Sequence, residues 1–429
     1  MSARNRELFG LIPAALLVTA GFAGVFIQRQ NVLSNVSLTY GAIFLGLCLV
    51  AHICIRMTLP HADPYLFPLV ALLASFGIVM VYRIDSTLAR QQAQWFVLGL
   101  ILFVVTIIAF RDYRKLEQYR YVIVAVSLLL LILPRLPGIG EQVNGAYLEI
   151  KVPGGLSFQP TEFSKIGLVI FLASYLRDTR QAMVLGARRI LGVTLPPLKH
   201  FGPVLVIWGL AMVALVLLSD IGSSLMFYGA LLSMLYVATG RLSFVVIGVL
   251  AFVLGAWFLG THISHVHARF EDWQHPFNPR LYNAPGGSFQ VANGIFAQAA
   301  GGLFGQGFGQ SILSLIPFAQ TDMIYAVITN ELGLFGATAI LLAYLLFVFR
   351  GFKAATLSRD SFSTLLAAGL SAVFALQVFV IVGGVTRVIP LTGVTLPFIS
   401  YGGASIVANF VLLALLLLVS DRARRPTAR

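Results

Sequence analysis

A chain of 429 residues that is 58% hydrophobic and 10% charged, with a mean hydropathy of +0.90, carries more apolar surface than a water-soluble fold can hide. The net charge of +13 does not make it a nucleic-acid binder, because the basic residues sit between apolar runs and not on one patch. Cys48 and Cys54 both fall inside a single apolar run. They read as ordinary lipid-facing or packing residues in preference to a metal site or a disulfide.

In chain order, apolar runs lie near 9–28, 36–55, 65–82, 94–110, 121–133, 160–176, 202–218, 222–239, 243–260, 324–349, 363–383 and 399–419. Most approach the roughly 20 residues that cross a bilayer as a helix. The expectation is an all-α polytopic membrane protein with ten to twelve spans, twelve being favoured; 202–239 also reads as one helix broken at Ser219–Asp220. The first run lacks a small-residue cleavage site after it and reads as a retained helix. Lys and Arg concentrate in alternate loops, which places both termini in the cytoplasm and turns 134–159 and a large loop at 261–323 outward. Residues 1–60 form an extra N-terminal two-helix segment, 61–425 a single membrane domain, and 426–429 a short basic tail. Arg422, Arg424, Arg425 and Arg429 suit anionic headgroups on the cytoplasmic side.

Only 16 acids occur, and ionisable groups in or beside membrane spans are functional-site candidates by default. In "FQPTEFSKI", Pro160 opens a helix, and Glu162 and Lys165 then lie three apart on one face and can pair. The pair either fixes helix packing or presents Lys165 to an anionic substrate group. In "SDIGSSL", Asp220 either caps a helix or serves as an acid at the membrane edge.

The passage "HARFEDWQHPFNPRLYNAPGGSFQ", residues 267–290, is polar and irregular between two apolar stretches. It is followed by "GGLFGQGFGQS", where Gln310 breaks a dinucleotide fingerprint and no strand precedes it. Those glycines suit a re-entrant backbone that packs closely. Asp322 and Glu331, nine apart, are too far out of register for certain same-face pairing. Histidines at 262, 265, 267 and 275 lack firm metal-ligand spacing. In "GGVTRVIPLTGVTLPFISYGGAS", residues 383–405, Arg387 is the only charge, and an arginine held by a structured turn binds anions well. Lys165, Arg269 and Arg387, with Glu162 and with Ser400, Gly402 and Gly403 from this last run, are the candidate anion-binding residues. Physics reaches an enzyme or transporter of an anionic lipid.

"NGAYLEI", "FQPTEFSKI", "SDIGSSL", "GGLFGQGFGQS", "IPFAQTDMIYAVITNELGLFGA" and "GVTRVIPLTGVTLPFISYGGAS" resemble, in order over roughly 65–425, the motifs of the SEDS family (shape, elongation, division and sporulation). That family holds the RodA, FtsW and SpoVE types. The two spans before residue 60 and the "GGVTRVIPLTG" wording lean towards the RodA-like branch. The resemblance implies a peptidoglycan glycosyltransferase that polymerises lipid II on the outer face of the plasma membrane, beside a class B penicillin-binding protein. It implies no covalently held cofactor and leaves room for a divalent cation, Mg or Mn.

Such chemistry needs a carboxylate base near the acceptor hydroxyl and cations at the leaving pyrophosphate. Family members usually carry an aspartate in a segment like W-x-x-P-F-x-D-P. Here Trp273 to Pro279 reads "WQHPFNP", so the matching position is Asn278, whose amide cannot accept a proton as a base. Three readings follow. Asp272 or Glu271 serves instead; another acid, Asp220 or Asp322, does so; or the chain is a catalytically weak scaffold. A flippase for the lipid-linked precursor is the alternative from a different class.

Overall fold

The computed structural model describes residues 2–30, 36–143, 146–152, 156–185, 188–190, 193–195 and 197–426. Asn144 and Gly145 of "NGAYLEI", and Arg429 with its two neighbours in the basic tail, lie outside the described residues. The chain is helical almost throughout. Its helices are α1 (Ala3–Gly10), α2 (Ile12–Gln30), α3 (Val36–Thr58), α4 (Leu66–Ile84), α5 (Ser86–Ala109) and α6 (Arg120–Ile132). Next come α7 (Pro160–Leu185), α8 (Leu198–Leu217), α9 (Ile221–Thr239), α10 (Leu242–His262) and α11 (Ser264–Gln274). The last are α12 (Pro279–Tyr282), α13 (Phe289–Gly301), α14 (Ile324–Leu357), α15 (Ser361–Val385) and α16 (Gly403–Arg424). Strands β1 (Gly140–Val143), β2 (Ala146–Val152) and β3 (Leu156–Phe158) form one small antiparallel sheet, and β4 (Arg188–Ile190) pairs with β5 (Val193–Leu195).

Each of the twelve apolar runs is helical, and 202–239 is two helices, α8 and α9. Among the described residues ten helices are long and apolar enough to cross a membrane, with α1 and α2 forming one passage. The two runs outside that set have physical reasons. α6 has 13 residues, about 20 Å at 1.5 Å per residue, which falls short of the hydrocarbon thickness. α7 is 26 residues long, but Glu162, Lys165, Arg177, Asp178 and Arg180 interrupt its apolar character.

Two compact units emerge. One comprises residues 1–111, 269–351 and 377–429; the other comprises 112–268 and 352–376. In the first, α16 is the core helix, with 89% of its apolar window buried. Its Phe410, fully buried, meets Phe96, Phe103 and Phe398 edge-on at 5.2–6.2 Å between ring centres. Gly99 on α5 permits this approach, since a Cβ there would stand 2.4 Å from the Phe410 ring. α4 stops where Asp85 leaves helical geometry and caps α5, accepting from the amides of Thr87 and Leu88 at 2.7 and 3.1 Å. That satisfies two donors a helix start leaves open.

Beyond the apolar packing, this unit is closed by a buried charge cluster. Asp63, fully buried, accepts from Arg350 (Nη2 at 2.6 Å, Nε at 3.1 Å) and from Arg424. Its amide donates to Ser420 at 3.0 Å, and Asp421 accepts from the His61 amide at 2.8 Å. The α16 terminus is thereby fastened to the start of α4.

In the second unit α6 lies along α7. Ser164 Oγ donates to the Ser127 carbonyl at 3.0 Å, and Gly167 leaves room for the Ser127 side chain. Arg120 pairs with Asp178, and Arg177 with Glu117 and Asp178.

Removing a buried carboxylate from between two half-buried guanidinium groups leaves like charges uncompensated. Asp63→Ala is expected to cost about 3 kcal/mol, read as a lowered thermal midpoint of the detergent-purified protein. An unchanged midpoint contradicts the role given to this cluster.

Candidate active site

The irregular segment 267–290 folds into the end of α11, a proline-bearing turn, α12 and the start of α13. α11 places Arg269 and Asp272 three apart, on one face. Its C-terminal carbonyls have no partner within the helix, and Arg387 supplies one. Arg387 Nε donates to the Trp273 carbonyl at 2.8 Å and Nη2 to the Gln274 carbonyl at 3.0 Å. Trp273 Nε1 returns a bond to the Arg387 carbonyl at 3.1 Å. Arg269 Nη1 donates to the Leu391 carbonyl at 2.8 Å. Arg387 stands in the left-handed region at φ 62°, a strained place for a long side chain. Such strain persists only where several contacts over-determine it, and it concentrates at functional sites.

Asp272 is buried, at 9% exposure, while Glu271 beside it is exposed. Burial pushes the Asp272 carboxyl up to about 6; Arg269 pulls it down and Glu271 adds to the rise. A carboxylate of that strength is a usable proton acceptor near neutral pH.

Asn278 takes a local role. Its Oδ1 accepts from the Arg280 amide at 3.0 Å and caps α12, with Pro279 in the first helical position. Gln274, His275, Phe277, Asn278 and Arg387 are among the residues lining an open cleft of about 470 Å³. The Phe277 ring stacks on Phe296 of α13, with centres 5.4 Å apart.

Asp322 lies just before α14, half-buried, with Oδ2 accepting from Gln290 at 3.1 Å and Oδ1 from Thr321 at 2.7 Å. Ser400 Oγ donates to the Thr321 carbonyl at 2.6 Å and accepts from the Leu396 amide at 2.8 Å. Its own carbonyl accepts from Gln92 Nε2 at 3.0 Å, and Gln92 Oε1 receives the Gly402 amide at 3.4 Å. Gly403 packs against the Trp95 indole, where a Cβ would stand 2.1 Å from the ring. Ser400, Gly402 and Gly403 thus hold the turn that carries the "ISYGGAS" run.

Gly305, Gly307 and Gly309 all have positive φ. Gly305 packs against the α14 backbone at Glu331, where the helix is interrupted by non-helical Gly333 (φ 67°). The Gln306 and Gly307 amides donate to the carbonyls of Asn330 and Glu331. Glu331 does not meet Asp322: it is buried and pairs with Arg83 at 3.1 Å. Sequence reasoning passed over Arg83 and Gln290. Arg83 carried a signal, as a cation at the end of an apolar run; Gln290 carried none.

In the other unit, Glu162 and Lys165 form a buried ion pair one turn into α7. Asp220 caps α9, accepting from the Ser223 amide at 2.9 Å. Among the described residues no group of three or more His, Cys, Asp or Glu is placed to hold a metal ion, and the four histidines from 262 to 275 form none.

Residues 64–425 match the family model of FtsW, RodA and SpoVE, described as "Cell cycle protein". The chain belongs to this family. It is 40% identical over 99% of its length, and 91% of the relative's, to "Peptidoglycan glycosyltransferase RodA" of Mycobacterium leprae. "Stage V sporulation protein E" of Bacillus subtilis is 31% identical over 84% of this chain and 98% of that protein. Among solved structures, RodA of Thermus thermophilus has a TM-score of 0.61 at 26% identity, covering 85% of this chain and 98% of that one. A structure titled for polymerization and crosslinking by a peptidoglycan synthase complex has a TM-score of 0.68, with the same identity and coverage. With ten apolar helices among the described residues, this FtsW/RodA/SpoVE member is a multi-pass protein of the bacterial plasma membrane.

Arg387→Gln removes the guanidinium clamp. The amides of 271–275 are expected to exchange with deuterium several-fold faster, and Trp273 emission to shift towards the red. Unchanged exchange there contradicts the clamp.

Proposed function

We propose that this chain is a peptidoglycan glycosyltransferase that polymerises lipid II on the outer face of the plasma membrane. The observation that carries the reading is 40% identity over 99% of the chain to a protein with that activity in its name. The local geometry supports it. In glycan polymerisation a sugar hydroxyl of one substrate attacks the anomeric carbon of another. The new glycosidic bond forms as the bond to the undecaprenyl pyrophosphate breaks, and the hydroxyl proton goes to a base.

Asp272 takes that proton. It is buried in the last turn of α11, two residues before the cleft-lining Gln274, with its carboxyl pushed up to about 6, so it is ionised at neutral pH and strong enough to accept. Asn278, at the position where the family pattern has an acid, offers an amide and spends its oxygen on a helix cap. Both oxygens of Asp322 already accept bonds, and Asp220 serves a helix start. Arg387, fixed by two carbonyls at the cleft wall, meets the leaving pyrophosphate. A preorganised cation there stabilises growing negative charge without reorganisation.

The described residues form no resident metal cage. A divalent cation, Mg or Mn, would therefore enter with the substrate's pyrophosphate, as Mg²⁺ commonly does with few protein carboxylates. A class B penicillin-binding protein is the proposed partner, consistent with the matched synthase structure whose title joins polymerization to crosslinking.

Asp272→Asn is expected to lower the rate of lipid II polymerisation by about 10²–10⁴-fold, with the protein still folded. The wild-type rate should rise through about pH 6 as the Asp272 carboxyl loses its proton. Glu271→Gln removes a like charge, so that limb should move to lower pH. Full activity in Asp272→Asn contradicts the assignment of the base.

A further inference from the structure

The N-terminal helices lie before the matched family region, which begins at residue 64, yet they reach the glycine-rich run beside the candidate site. α1 and α2 make one apolar passage, Ala3–Gln28, of 26 residues, about 39 Å long at 1.5 Å per residue. At one end Arg4 donates to the Ala62 carbonyl and pairs with Glu7, and Glu7 also meets His52 at 2.7 Å; all three side chains are buried. At the other end Gln28 Nε2 donates to the Gly309 carbonyl. The Phe308 ring lies 3.5 Å from where a Cβ of Gly24 would stand. The passage is pinned at both ends by polar bonds, which lipid tails cannot replace.

Gly309 is a junction. Its carbonyl also accepts from Arg83 Nη2 at 2.6 Å, and its amide donates to Glu331 at 2.8 Å. It adopts φ +83°, and the Gln28 amide fills the space a side chain would take. From there the framework continues by short steps. Ser311 Oγ donates to Asn330 at 2.6 Å, and Asn330 Nδ2 to the Ala297 carbonyl of α13 at 2.8 Å. α13 in turn binds Asp322 through Gln290 and, through Gln298 Nε2, the Val385 carbonyl at 2.8 Å, two residues before Arg387.

We propose that Gln28 is a positioning residue: by its bond to the Gly309 carbonyl it braces the glycine-rich run, and through α13 and the Val385 carbonyl it holds the turn that carries Arg387 in working geometry. Gln28 touches no substrate. A carbonyl oxygen has two lone pairs, and Gly309 gives one to Arg83 and one to Gln28. Losing Gln28 leaves the Gly309 carbonyl with Arg83 as its remaining donor, and the Gly309 amide on Glu331. The kinetic half of this proposal rests on the polymerase reading; the structural half stands without it.

The test uses the full-length protein with Gln28→Met, which keeps side-chain length and removes the donor. Deuterium exchange of the 305–311 amides is expected to rise about fivefold, with the global thermal midpoint unchanged. With fluorescent lipid II, kcat is expected to fall about fivefold while KM stays within about twofold, because geometry and not substrate binding is disturbed. Wild-type exchange in the variant overturns the brace. Faster exchange with an unchanged kcat overturns the positioning role. If the wild-type protein makes no polymer, the polymerase reading fails, and the exchange result still decides the brace.

Discussion

The clamp of Arg387 on the last two carbonyls of α11 is the constraint on which the cleft depends. Helix ends expose unpaired carbonyls, and a guanidinium can satisfy two of them in a fixed plane. Once the clamp closes, the end of α11 is held against 387–391, and Arg269 doubles the attachment through the Leu391 carbonyl. Asp272, on the same turn, is buried, and its burial raises the carboxyl to about 6. One set of hydrogen bonds therefore fixes the Arg387 guanidinium at the cleft and holds the last turn of α11, which carries Asp272.

A second constraint is that charges sheltered from water must be paired. Glu7, Asp63, Glu162 and Glu331 are all buried, and each has a basic partner: Arg4 with His52, Arg350 with Arg424, Lys165, and Arg83. These pairs sit at helix ends or at breaks, where a backbone departs from regular geometry. Glu331 illustrates the use. It lies two residues before the Gly333 interruption in α14 and receives both Arg83 and the Gly309 amide. The ion pair thus stabilises a close approach of two backbones that only glycines at 305 and 333 permit.

Much of this was legible in the sequence. Apolar runs located every long helix, because in lipid a backbone must satisfy its own polar groups. The three-residue spacing of Glu162 and Lys165 foretold their pair, and the position of Asp220 foretold a cap. The glycines before Ser311 foretold close backbone packing. Short elements were not visible. The sheet over 140–158 and helices α11–α13 have neither the length nor the apolar period that marks a span. Nor was the clamp visible: it joins residues 113 and 114 positions apart, and no local pattern encodes which carbonyl an arginine will reach. Arg387 and Arg269 stood out as cations, but their partners are backbone atoms, which any sequence could supply.

Glycosidic-bond formation, rather than mere carriage of a lipid-linked sugar, is the defining chemistry of this membrane chain. It is tested most directly by purified protein in liposomes holding fluorescent lipid II and Mg²⁺, followed both by gel for polymer and by a reporter of transbilayer movement. A ladder of glycan products is the expected result. Movement of lipid II between leaflets, with no polymer formed in the presence or absence of a partner, would contradict it.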